Sequence, residues 1–197
     1  MLKIAIILGS TRPGRNGEAV ARWVHEKASK RKDATYELVD LAEQNLPLLD
    51  EAKPASMGQY EHAHTKAWAS KIAGYDGFVF VTAEYNHAIP GALKNAIDFL
   101  FAEWNDKAAG FVSYGSAGGT RAVEQLRQVM AELKIADVRA QLTFALATDF
   151  EKMKTFKPAN PEQNEKTLNE MLDQVVAWST ALRAVRKGET QKANAAE

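Results

Sequence analysis

Apolar runs and amphipathic stretches alternate along the whole chain. The first run, Ile4-Ala5-Ile6-Ile7-Leu8, is continuously apolar, which predicts a strand buried on both faces, as in a parallel sheet covered by helices. Val20, Trp23, Val24 and Ala28 then recur at helical spacing opposite Arg22, Glu26 and Lys30. Thr35 to Leu41 alternates in places and reads as a second strand nearer an edge, while Asn45 to Pro54 carries two prolines and reads as a loop. A helix over Gly58 to Ala73 places Trp68 and Ile72 on one face, and Gly77 to Thr82 is a third, central strand. Pro90 can open a helix without losing a hydrogen bond; Leu93, Ile97, Leu100 and Phe101 give it an apolar face. Ala108 to Tyr114 is a fourth strand, followed by a long helix on Ala122, Leu126, Val129, Met130 and Leu133. Asp137 to Phe144 reads as a fifth strand, and Asp149 to Pro158 as an irregular, Lys-rich connection. Asn160-Pro161-Glu162 supplies a cap, a first-turn proline and a first-turn acid for a last helix through Leu168, Met171, Leu172, Val175, Trp178 and Leu182.

Five β–α units in sequence predict an α/β fold, a doubly wound parallel sheet with helices on both faces. The five-stranded order is 2-1-3-4-5, and ligands bind outside the strand C-termini where that order reverses. The expected division is one domain over residues 1–187 and a small, polar, disordered tail over 188–197. Three unusual loops follow strands one, three and four, namely Gly9 to Gly17, Ala83 to Pro90 and Gly115 to Gly119. They therefore meet at one edge of the sheet.

Composition narrows the partners. Lys plus Arg and Asp plus Glu both number 25, for a formal charge of zero, which argues against bulk nucleic-acid or anionic-membrane binding. The absence of cysteine removes disulfides, thiolate nucleophiles and Cys-based metal centres. No apolar run reaches membrane-span length and the first apolar stretch is too short for a secretory signal, so a cytoplasmic protein is expected. His62 and His64, two apart on a predicted helix, would sit on different faces, so no metal is expected there.

The loops offer chemistry. Ser10, Thr11, Arg12 and Asn16 can donate to a phosphate, Arg15 adds charge, and Gly17 lets a helix N-terminus start close by. This is neither a dinucleotide fingerprint nor a Walker loop, because no Lys-Ser/Thr follows Gly14. Tyr85 offers a flat surface with a polar tip, and backbone groups at Glu84 and Asn86 could bond a heterocycle's edge. Gly115, Gly118 and Gly119 permit close backbone approach beside Ser116. A phosphate at one end and a planar ring clamped at the other describe a mononucleotide flavin.

Leu8-Gly9-Ser10-Thr11-Arg12 with Gly14-Arg15, Glu84-Tyr85-Asn86 with Pro90 to Asp98, and Ser113 to Gly119 together resemble the NADPH-dependent FMN reductases. These form a flavodoxin-like family that also includes quinone, azo-dye and chromate reductases. The resemblance spans residues 2 to 180; one departure is Ala83, where relatives often carry proline. It implies a flavodoxin-like three-layer sandwich. It also implies that Ser10, Arg12, Arg15, Asn16 and Gly17 hold the FMN phosphate and that Ala83, Glu84, Tyr85 and Asn86 contact the isoalloxazine. Ser113, Gly115, Ser116 and Gly118 would line the flavin's other side.

NADPH (or NADH) would pass hydride to FMN, and a flavin, quinone, azo compound or oxyanion would then be reduced in a ping-pong cycle, with no side chain required as catalyst. A homodimer or homotetramer is implied. Phe99, Phe101 and Trp104, on the helix expected from Pro90 to Asn105, are either its interface or core filler. The competing readings are a flavodoxin-type electron carrier, disfavoured by the neutral charge, and a non-catalytic nucleotide-responsive protein.

Overall fold

The computed structural model describes residues 1–188. Its apolar runs become five strands: β1 (Leu2–Leu8), β2 (Ala34–Asp40), β3 (Gly77–Ala83), β4 (Lys107–Gly115) and β5 (Ile135–Ala145). They form one parallel sheet in the order β2-β1-β3-β4-β5. The five main helices are α1 (Gly17–Ala28), α2 (Ala63–Ala73), α3 (Gly91–Asp98), α4 (Thr120–Glu132) and α5 (Pro161–Arg186).

The middle of each central strand is apolar on both sides because its two faces feed two separate cores. Ile4, Ile6 and Leu8 of β1, with Val79 and Val81 of β3, pack against Val20 and Val24 of α1 and Met171, Leu172 and Val175 of α5. Ala5, Ile7, Phe78 and Phe80 point the other way, to Trp68 of α2, Leu93 and Ile97 of α3 and Leu126 of α4. Two helices thus cover one face and three the other. At Gly110 a Cβ would stand 2.9 Å from Met171 Cγ, so the glycine inside β4 is what lets α5 lie close to the sheet.

Several elements differ from their sequence readings. The helix after the second loop ends at Asp98, not Asn105. Two indoles take its last carbonyls: Trp68 Nε1 donates to Ala96 O at 2.8 Å and Trp104 Nε1 to Ile97 O at 3.1 Å. Phe99 and Trp104 are fully buried and fill the core, whereas Phe101 is half-buried against it. Trp178 is 50% exposed. The inward stripe of α5 steps from Met171 to Val175 to Ser179, and residue 178 falls off it.

The second helix starts at Ala63, five residues later than the sequence suggests. The Glu51 carboxylate accepts from the Glu61 and His62 N–H groups just before it. His62 is extended rather than helical, so its ring stacks on His64 at 5.2 Å instead of facing away, and both rings contact Asp50. The connection read as irregular contains a hairpin of β6 (Phe150–Glu151) and β7 (Thr155–Phe156). The tail expected from residue 188 lies, from 189 onward, outside the described residues.

No helix among the described residues is long and apolar enough to cross a membrane.

Candidate active site

The sheet order reverses between β1 and β3, and at the C-terminal edge there the three unusual loops meet. Gly9 N donates to Val81 O at 2.9 Å, extending the β1–β3 ladder into the first loop. Beyond it Gly14 turns the chain at a φ of 66°. Asn16 has helical backbone angles and does not cap α1; its Nδ2 donates instead to Met153 O at 2.9 Å. The first-turn N–H groups of α1 therefore face the cleft without a side-chain acceptor. Gly17 starts that helix against the side chain of Tyr114, which reaches it from β4: a Cβ there would stand 2.3 Å from Tyr114 Oη.

In the second loop Tyr85 and Ala88 exchange backbone hydrogen bonds of 2.9 and 3.1 Å. Asn86 and His87 between them have φ of 51° and 69°, the left-handed pair of a two-residue hairpin turn. The Glu84 side chain is only 5% exposed and crosses to the third loop. Its carboxylate accepts from Arg121 N at 3.1 Å and Ala122 N at 3.4 Å and pairs with the Arg121 guanidinium, thereby capping α4. In the third loop the buried Ser113 Oγ donates to Gly118 O at 2.7 Å.

A cleft of about 190 Å³ lies between these loops, lined by Arg12, Asn16, Ala83, Glu84, Tyr85, Tyr114, Gly115 and Leu146. Six of the thirteen residues singled out from the sequence are in that lining. Of the other seven, Ser10 is buried with its hydroxyl 2.8 Å from Tyr85 Oη, and Gly17 is buried against Tyr114. Asn86 and Ser116 are exposed at loop tips; Ser113 and Gly118 bond to each other behind the third loop. Arg15 is drawn away to Asp40 at the end of β2, and the two side chains are 12% and 15% exposed.

Tyr114 and Leu146 line the cleft but were not among those thirteen. Tyr114 ends an apolar strand, which reads as core from sequence. Leu146 directly follows β5, and its N–H donates to Gly115 O at 3.0 Å. The Arg12 guanidinium lies 5.8 Å from the Tyr85 ring centroid, within cation–π range. Burial pushes the Tyr114 phenol up to about 12. The nearby Ser10 hydroxyl opposes that shift, but it is engaged with Tyr85, and Tyr114 Oη has no hydrogen-bond partner.

Residues 2–149 match the sequence profile of the NADPH-dependent FMN reductases. The chain belongs to that family.

It is 41% identical over 158 residues to an NAD(P)H-dependent FMN reductase of Nectria sp, covering 76% of this chain and 79% of the relative. A quinone reductase of Escherichia coli K12 is 36% identical over 142 residues, covering 67% and 71%. The fold is shared with the flavoenzyme NAD(P)H:(acceptor) oxidoreductase FerB of Paracoccus denitrificans. There the TM-score is 0.70 at 19% identity, over 92% of this chain and 98% of that one. As a member of the FMN reductase family the protein is an oxidoreductase using FMN and a nicotinamide donor.

The donor set suits such a cofactor. An uncapped helix start and the buried, partnerless Tyr114 hydroxyl are donors awaiting an acceptor, as an anionic phosphate monoester would be.

Proposed function

We propose that the three-loop cleft holds FMN with its phosphate at the first loop, and that NADPH and a small acceptor use the exposed face in turn. Hydride acceptance and return are the chemistry FMN supplies when bound. The convergence of an uncapped helix N-terminus with two backbone-rich loops supports this reading.

Within it, the N–H groups of α1, Ser10, Arg12, Asn16 and Gly17 bind the phosphate. Arg15, paired with Asp40, fixes the first loop. Ala83 to Asn86 and Gly115 to Gly118 orient the ring through backbone, with Ser113 bracing the third loop. Glu84 is the positioning residue that locks these two loops together, since its carboxylate is taken up by α4. No side chain here is placed as an acid or base for the hydride step.

Alternate use of one face makes the kinetics ping-pong. Initial rates at several fixed acceptor concentrations should give parallel double-reciprocal lines against NADPH. Intersecting lines would mean that both ligands are bound together. The similarity to a quinone reductase favours quinones as acceptors; a panel of quinone, free flavin, azo dye and oxyanion with each nicotinamide ranks them. Anaerobic NADPH should bleach the visible flavin band of the loaded protein. A flavin that stays oxidised would make the protein an electron carrier instead.

Tyr114→Phe separates cofactor binding from folding. Removing a buried hydroxyl without a partner should stabilise the apo-protein by about 1 kcal/mol. If that hydroxyl donates to FMN, the same change should weaken FMN about 10- to 150-fold, the equivalent of losing one hydrogen bond to a charged group. Thermal unfolding of the apo-protein and a flavin titration read the two effects. A destabilised apo-protein with unchanged FMN affinity would contradict the assignment.

A further inference from the structure

The first loop is short of positive charge for a phosphate monoester, which carries close to two negative charges at neutral pH. Of its two arginines, Arg15 is neutralised by Asp40, leaving Arg12 as the loop's cation without a carboxylate partner among the described residues. The nearest unassigned feature is the β6–β7 hairpin. Its base is pinned by rings: Phe156 packs on Phe144 at 4.9 Å and Trp23 at 6.2 Å, and Phe150 on Tyr114 of the cleft at 6.3 Å. Its tip, Lys152-Met153-Lys154, is tied to the first loop by the Asn16 Nδ2–Met153 O bond.

The tip's composition is unusual. Within this three-residue loop Lys152 and Met153 take φ of 51° and 59°, left-handed geometry reached without glycine or asparagine. Lys157 pairs with Glu151 across the hairpin. Lys152 and Lys154 are exposed and have no ion pair among the described residues. Two uncompensated cations are thus carried on a hairpin whose tip backbone accepts a hydrogen bond from the residue before α1.

We propose that the hairpin tip is a further wall of the phosphate site, with Lys152 and Lys154 supplying charge that the first loop lacks. The inference rests on the placement of FMN given above and adds residues from after β5 to a site otherwise built from the loop after β1. The lysines act through their field over several ångströms, so the effect depends on the ligand's phosphate and on salt.

The test compares FMN with riboflavin, which has the same ring and no phosphate. Apo-protein of the wild type, K152A/K154A and K152E/K154E is titrated with each flavin at low and high salt. At low salt K152A/K154A should weaken FMN about 5- to 20-fold and leave riboflavin unchanged. The gap should shrink at high salt, and the glutamate variant should lose more. Unchanged FMN affinity, or equal losses for both flavins, overturns the proposal. So does a raised NADPH KM with unchanged FMN affinity, which would give the lysines to the nicotinamide donor. A wild type that binds neither flavin overturns the FMN placement itself, whereas charge-insensitive FMN binding overturns the hairpin's role alone.

Discussion

Replacing Trp104 with alanine should destabilise the protein by about 3–5 kcal/mol, the range for emptying a buried tryptophan site. The indole is fully buried against Trp68, Phe78 and Phe80, with centroids at 6.2, 4.9 and 6.2 Å. Its Nε1–H also ends α3 on Ile97 O. Losing it opens a cavity and frees the C-terminus of the helix whose N-terminus follows the second loop. For a chain of this size the expected fall in Tm is roughly 6–20 °C. Trp104→Phe keeps a ring but loses the bond, and should lose roughly a third as much by the usual penalty for an unsatisfied acceptor. Unfolding and sedimentation measured over a range of protein concentrations distinguish core from interface. A core residue lowers stability at every concentration, whereas an interface residue shifts association and leaves the dilute protomer intact.

The layered fold is legible in the sequence because a strand flanked by two cores cannot be polar on either face. Ile4 to Leu8 and Phe78 to Val81 carry that signature without help from the rest of the chain. Loop residues were legible as a set by their position after strands one, three and four, and six of them line one cleft. What escaped depends on contacts across long separations. The Asp40 that draws Arg15 aside ends a different strand, 25 residues on. The hairpin at 150–156 has strands of two residues each, too short for periodicity, and its turn lacks the Asn-Gly or Asp-Gly signal. His62 and His64 stack because the chain before α2 is extended, held by a carboxylate ten residues earlier. Helical spacing alone implied the opposite.

Gly17→Ala should have the largest effect on the site, and the reason is steric. An added Cβ would stand 2.3 Å from Tyr114 Oη, 3.0 Å from its Cζ and 2.9 Å from Leu8 Cδ1, all in the packed core beneath the first loop. The helix start must lift off Tyr114 and Leu8, costing about 1–3 kcal/mol of stability as overpacking does. The same displacement moves the N–H groups proposed to hold the phosphate, so FMN affinity should fall at least tenfold, since electrostatic binding at a helix end decays within one turn. Gly14→Ala is the contrast: it sits at a φ of 66° but has nothing within 4 Å of its Cβ position. It should lose about 1 kcal/mol from backbone strain alone and disturb flavin binding less. Adding Tyr114→Phe to Gly17→Ala removes the worst contact while keeping the ring. If the hydroxyl and the glycine hydrogen occupy one shared space, the double variant should recover stability, with a coupling of about 1–2 kcal/mol as expected for residues in contact. Purely additive losses would mean that Gly17 is needed for some other reason, and that β4 does not set the height of the helix start above the cleft.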